Sequence, residues 1–190
     1  MKKSHLVFVA VLFLAVAGYF IWQRATGGET VAIDLYAIAD SPAAEFRPAA
    51  KKATMFRKGA ETVGGVTRPA LFTHAASRIE FKKQPIPDNG RLRAWIAIRE
   101  EAWTQDTSDG VLFRFGVSDG PDYTELLNQH VDPRHNANDR GWLPVDIDLT
   151  AYAGQEVNLV FATNTSLPRQ GDNGNYDYAL WAEPAVIDRP

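Results

Sequence analysis

Trp142-Leu-Pro-Val-Asp-Ile-Asp-Leu-Thr-Ala-Tyr-Ala-Gly-Gln-Glu-Val-Asn-Leu-Val-Phe-Ala-Thr163 is the stretch whose reading decides the fold. Leu143, Val145, Ile147 and Leu149 alternate with Pro144, Asp146 and Asp148, the two-residue period of a strand with one face on a core and one in water. Thr150 to Gly154 is long enough for one tight turn, with Gly154 free to take the left-handed backbone. Val157, Leu159 and Phe161 then resume the alternation. The pattern predicts two antiparallel strands joined by a short turn. With no long helical pattern after residue 22, an all-β domain follows.

Working outward, Leu92, Ala94, Ile96 and Ile98 alternate with Arg93, Trp95 and Ala97, and Val111, Phe113, Phe115 and Val117 with Leu112, Arg114 and Gly116. Further strands are predicted at Val31–Tyr36, Leu71-Phe72, Ile79–Phe81, Tyr123–Val131 and Tyr176–Ile187, where Pro184 marks an edge or a bulge. Lys51 to Arg68 reads as one or two short strands around Gly59 and Gly64-Gly65. Ser41-Pro42 is expected to open a brief helix that Pro48 limits. Pro85–Gly90 and Asp119–Pro121 are turns by their chemistry. Three polar loops stand out, 99–110, 132–141 and 164–175. Eight or more short strands separated by such signals predict a two-sheet sandwich or a barrel over residues 31–190.

Composition narrows the function classes. The absence of cysteine excludes disulfides, thiolate metal sites and a cysteine nucleophile. A formal net charge of −3, with no basic stripe, argues against nucleic acid as a partner. The chain lacks G-x-S-x-G, H-E-x-x-H and a phosphate-cradling glycine loop. Asp146 and Asp148 share a strand face but read as its water side, and Glu100-Glu101 make a poor acid/base pair. The expectation is a protein that binds without catalysis.

The N-terminal segment is different in kind. Lys2 and Lys3 precede an uncharged apolar run from Leu6 to Trp22, about 25 Å long as a helix and near the lower limit for spanning a bilayer. Tyr19 and Trp22 lie at its far end, where aromatic rings favour the membrane interface, and the two lysines favour the N-terminus inside. Residues 1–23 are therefore expected to be a transmembrane anchor, 24–30 a linker, and the remainder a domain outside the cytoplasmic membrane, periplasmic or extracellular. A cleaved signal peptide is the competing reading, since Ala15-Val-Ala17 fits a cleavage site.

His74-Ala-Ala-Ser-Arg-Ile-Glu-Phe, Asp109-Gly-Val-Leu-Phe-Arg-Phe-Gly-Val-Ser-Asp-Gly, Val145-Asp-Ile-Asp-Leu-Thr-Ala-Tyr-Ala-Gly-Gln and Asp177-Tyr-Ala-Leu-Trp-Ala-Glu-Pro follow one another in an order that resembles the galactose-binding-like jelly rolls. Within that group the chain is most similar to the novel carbohydrate-binding modules of bacterial exported and membrane proteins. The resemblance implies a jelly-roll sandwich, usually non-catalytic and often glycan-binding, in some cases with a structural calcium held by a glutamate of the last strand, where Glu183 stands.

Candidate site residues come from the loops. Trp103, beside Asp109, has the chemistry of a saccharide platform: the ring stacks on C–H faces and oxygens take hydroxyls. Asn136 and Asn164 are further hydroxyl partners, and His130 completes the polar rim. Arg134, Arg140 and Arg169 suit a carboxylate-bearing partner. Asp172 and Asp177 flank a glycine and, with Glu183, form a candidate calcium set. Two functions are expected from this set. One is an accessory docking subunit of a membrane protein complex, favoured by the short linker; the other is a carbohydrate-binding module for a cell-envelope glycan.

Overall fold

The computed structural model describes residues 28–165 and 174–189. The apolar run 6–22, Arg169 and Asp172 lie outside the described residues. Among the described residues no helix is long and apolar enough to cross a membrane.

Among the described residues, eleven strands form two antiparallel sheets: β1 (Thr30–Asp34), β2 (Ala44–Arg47), β3 (Phe56–Val63), β4 (Val66–His74), β5 (Ser77–Pro85), β6 (Gly90–Ile98), β7 (Val111–Ser118), β8 (Tyr123–Val131), β9 (Leu143–Asp148), β10 (Glu156–Thr165) and β11 (Tyr178–Asp188). One sheet runs β3-β4-β11-β6-β9, with β1 also on β11; the other runs β2-β5-β10-β7-β8. From β4 onward this is the winding of a jelly roll, with the chain passing repeatedly between sheets. The all-β sandwich expected from the alternation is therefore present.

The pairing expected for the deciding stretch is not. β9 lies against β6, while β10 lies between β5 and β7 in the opposite sheet. The Thr150–Gly154 turn, with Gly154 at φ 72°, carries the chain across the sandwich instead of closing a hairpin. Alternation fixes which side chains face the core, and it fits an arch between sheets as well as a hairpin. A true hairpin forms at β3–β4, where Gly64 and Gly65, at φ 59° and 75°, make the tight turn that joins Val63 to Val66.

Two local expectations also change, and a third holds. The first strand ends at Asp34, whose carboxylate accepts the Ala37 N–H at 2.8 Å and starts a single helical turn, α1 (Leu35–Ile38). Ser41-Pro42 forms a turn, not a helix. Ser41 Oγ accepts the Ala43 N–H at 3.2 Å, and the chain enters β2 so that Phe46 reaches the core. Pro184 sits, as expected, at a bulge, here inside a central strand between Ala182 and Ala185, where the neighbour of β11 changes from β4 to β1. A proline is tolerated there because the ladder is already interrupted.

The core lies between the sheets. Trp181 of β11 is 1% exposed and meets Phe113 and Phe161 of the facing sheet at centroid distances of 5.2 and 5.0 Å, both edge-on. Phe115 and Phe81 pack edge-on against Phe161 at 4.9 and 5.5 Å. Each such pair adds about 0.5–1.5 kcal/mol beyond its buried area. A second, smaller apolar layer covers the outer face of the β11 sheet. There Phe72, Ala97, Leu180 and Ala182 are buried beneath Trp95, Trp103, Trp142 and Tyr178.

Candidate ligand-binding cleft

With Phe161, Phe113 and Phe115 committed to the core, the alternate residues of the same strands form the outer face of the β10 sheet. Strand register sets them in lateral rows. Arg47 stands opposite Arg78, Arg78 opposite Ala162, and Ala162 opposite Arg114. Two residues along, Glu45 faces Glu80, Glu80 faces Val160, Val160 faces Gly116, and Gly116 faces Glu125. The central strands thus carry only Ala162, Val160 and Gly116 where their neighbours carry long charged side chains. Short side chains between long ones leave a hollow of about 610 Å³, within the range of small-molecule sites. Arg47, Arg78, Arg114, Tyr123, Ala162 and Asn164 line it.

Gly116 is required by what covers it. A β-carbon there would meet Tyr123 Cζ at 2.5 Å and the Thr124 carbonyl oxygen at 2.4 Å, so the tyrosine ring occupies the space of the missing side chain. Tyr123 remains 44% exposed and gives the cleft an accessible aromatic surface. Partial burial raises its phenol above the ordinary value, so the hydroxyl stays protonated and can donate.

The charged rows neutralise each other in part. Arg47 Nε donates to Glu45 at 2.7 Å, Arg114 Nε donates to Glu125, and Arg78 stands 3.7 Å from Glu80. The Lys82 ammonium and then Arg47 hold the Glu45 carboxyl below its usual range. Glu125 is lowered first by the Asn128 amide, at 2.7 Å, and then by Arg114. All three glutamates are in this way tied beside the hollow, while the guanidinium forks border it. Among the described residues no hydrogen bond engages the Nη atoms of Arg47 or Arg114, or any guanidinium nitrogen of Arg78.

The loop residues expected to form the site fall in three places. Trp103, Asp109, His130, Arg134 and Arg140 gather at one end of the sandwich. Arg134 bridges to Asp106 at 3.0 Å, His130 Nε2 lies 3.1 Å from the Asp109 carbonyl, and the Arg140 guanidinium stands 6.0 Å from the Trp103 ring. Trp103 is a cover there: its indole N–H donates to the Ile98 carbonyl at 2.9 Å and its ring closes the outer apolar layer. Asn136 is occupied in its own turn, accepting the Asn138 N–H at 3.1 Å and donating to Asp139 at 3.0 Å. Among the described residues of the set, Asn164 alone lines the cleft.

Of the candidate calcium set, Asp172 lies outside the described residues, and Asp177 and Glu183 stand apart. Asp177 is buried just before β11, and Glu183 lies six residues further along that strand, on the order of 15–20 Å away at the strand rise. Glu183 instead accepts from Arg68 at 2.8 Å, and Arg68 stacks on Trp95 at 4.0 Å. Among the described residues no three His, Asp or Glu side chains are grouped to hold a metal ion. The remaining acidic pair is held for structure: Asp146 binds Arg91 at 2.6 Å, and hydrogen bonds from Thr150 lower Asp148, the opposite of what a general acid needs.

Tyr123, Arg47, Arg78 and Arg114 escaped the sequence reading. The one local sign was Gly116 within an apolar strand, where a glycine often marks close approach of another group.

No family model matches the chain. An uncharacterized protein of Archaeoglobus fulgidus is 33% identical over 121 residues, covering 61% of this chain, and the chain spans 30% of that protein's length. Among solved structures, the K1 cleaved adhesin domain of Lys-gingipain from Porphyromonas gingivalis superimposes with a TM-score of 0.53 at 12% identity, covering 86% of this chain and 99% of that one. The K2 cleaved adhesin domain of Lys-gingipain gives 0.50 at 10% identity, over 85% and 100%. A CBM51 module of Clostridium perfringens, solved with methyl-galactose, gives a looser 0.47 at 14% identity, over 84% and 99%. The likeness to the two adhesin domains is one of fold: a β-sandwich that recurs where sequence identity has fallen to about a tenth.

Proposed function

We propose that this chain is a non-catalytic glycan-binding module whose site is the outer cleft of the β10 sheet. The observation that carries the reading is the Tyr123 ring lying over Gly116 beside a hollow bordered by arginine and asparagine side chains. An aromatic face for sugar C–H groups and convergent donors for hydroxyls are what saccharide recognition requires. The carboxylates nearest the cleft are paired with arginine or lysine, which suits binding better than proton transfer.

Retention of the protein on a panel of immobilised cell-envelope and plant polysaccharides tests the proposal. Tyr123→Ala is expected to lower retention at least tenfold without unfolding the protein, and Trp103→Ala to leave the residual folded protein competent. Indifference of the wild type to the whole panel would overturn the reading. Loss through Trp103→Ala alone would move the site to the loop end.

A further inference from the structure

We infer that the cleft selects acidic saccharides, those bearing a carboxylate or a sulfate ester; this rests on the glycan-binding reading of the same site. Three guanidinium groups, Arg47, Arg78 and Arg114, lie in one cross-strand row around Ala162. Where Arg47 and Arg114 meet their glutamates they do so through Nε, and this leaves the planar Nη edge for another acceptor. Among the described residues Arg78 has only a long ion pair, at 3.7 Å. A guanidinium edge pairs two-pronged with a carboxylate or a sulfate oxygen pair, which a neutral hydroxyl cannot match.

The geometry divides the ligand in two. The glutamate row, with Val160, Gly116 and the overlying Tyr123 ring, is one strand repeat, roughly 7 Å, from the arginine row. That is about the breadth of a pyranose. A ring stacked on Tyr123 would place an acidic substituent over Ala162, among the arginines and away from the glutamates. The Asn164 amide lies beyond, on the same side. Diffuse attraction cannot substitute for this arrangement, because the protein as a whole carries a net charge of −3.

The test is affinity electrophoresis of the full chain, in mild detergent, through gels containing polygalacturonate, dextran sulfate or neutral galactan. Retardation by one or both acidic polymers is expected, weakened about tenfold by Arg78→Gln and by Arg114→Gln and not restored by Arg114→Lys, which keeps the charge without the planar edge. Arg47→Gln serves should Arg114→Gln fail to fold, and thermal melts confirm the fold of each variant. Arg57→Gln, outside the cleft, is expected to change nothing; an equal loss there would mean diffuse charge and overturn the inference. Retardation by galactan alone, abolished by Tyr123→Ala and untouched by the arginine variants, would overturn it while leaving the glycan site standing. No retardation by any polymer would overturn both.

Discussion

The Tyr123 ring and Gly116 fit together as a lid and its seat: a β-carbon on the glycine would come within 2.5 Å of ring carbon Cζ and 2.4 Å of the Thr124 carbonyl oxygen. Because one of those contacts is backbone, it cannot be relieved by rotating a side chain. Gly116→Ala is expected to cost about 1–3 kcal/mol, as other overpacked positions do, and to lower saccharide retention together with stability. Denaturant unfolding and retention measured on the same sample check it; an unchanged unfolding midpoint would show that the ring does not sit there.

Trp103 and Tyr123 should separate cleanly. Trp103 closes the outer apolar layer, so Trp103→Ala is expected to cost about 2–3 kcal/mol, a fall in Tm of several degrees. Tyr123→Ala, at a half-open position, should cost about 1 kcal/mol or less yet remove binding. Calorimetry of the two variants reads both effects, and a stable Trp103→Ala would contradict its role as a cover.

At the centre of the core the indole N–H of Trp181 is buried and meets no hydrogen-bond acceptor among the described residues. Removing that group with Trp181→Phe offsets part of the packing loss. The substitution is expected to cost less than about 2 kcal/mol, against about 3–5 kcal/mol for Trp181→Ala. Urea unfolding of both variants tests the difference, and near-equal losses would count against it.

Acid should loosen the sheet edge where the chain enters. Glu29 accepts from Arg189 at 2.6 Å and from Arg93 at 2.6 Å, and these bonds, the one from Arg189 foremost, hold its carboxyl below the ordinary 4.5. A carboxylate lowered in the folded state stabilises it fully above about pH 4.5, and the contribution disappears as pH falls through the lower folded value. Glu45 and Glu125 act in the same direction. The urea midpoint should therefore fall below pH 4.5, with a shallower slope for Glu29→Gln. Identical slopes for the two proteins would remove Glu29 from the effect.

The alternation of Leu92 to Ile98, Val111 to Val117 and Val157 to Phe161 made the strands and the inward face readable, because a period of two leaves little choice of face. Pairing was not readable in the same way. Leu143–Leu149 and Val157–Phe161 carry equally apolar inner faces whether they neighbour each other or face each other, and only the register of the other strands decides. The cleft was hidden for a related reason. Arg47, Arg78 and Arg114 are 31 and 36 residues apart in the chain and become neighbours only once β2, β5, β10 and β7 are laid side by side. Trp103 stands in a polar loop, and its indole N–H bond to the Ile98 carbonyl, five residues back, has no mark in the sequence.

Thr30 stands opposite Asp188, and Glu29 clasps Arg189, so the polypeptide enters and leaves the sandwich at one corner, on the sheet that does not carry the cleft. Whatever the chain is tethered to at either end, the load enters the sandwich through β1 and β11, in the sheet opposite the cleft. A mechanical pull on one terminus would strain the seam between those two strands well before it disturbed the arginine row.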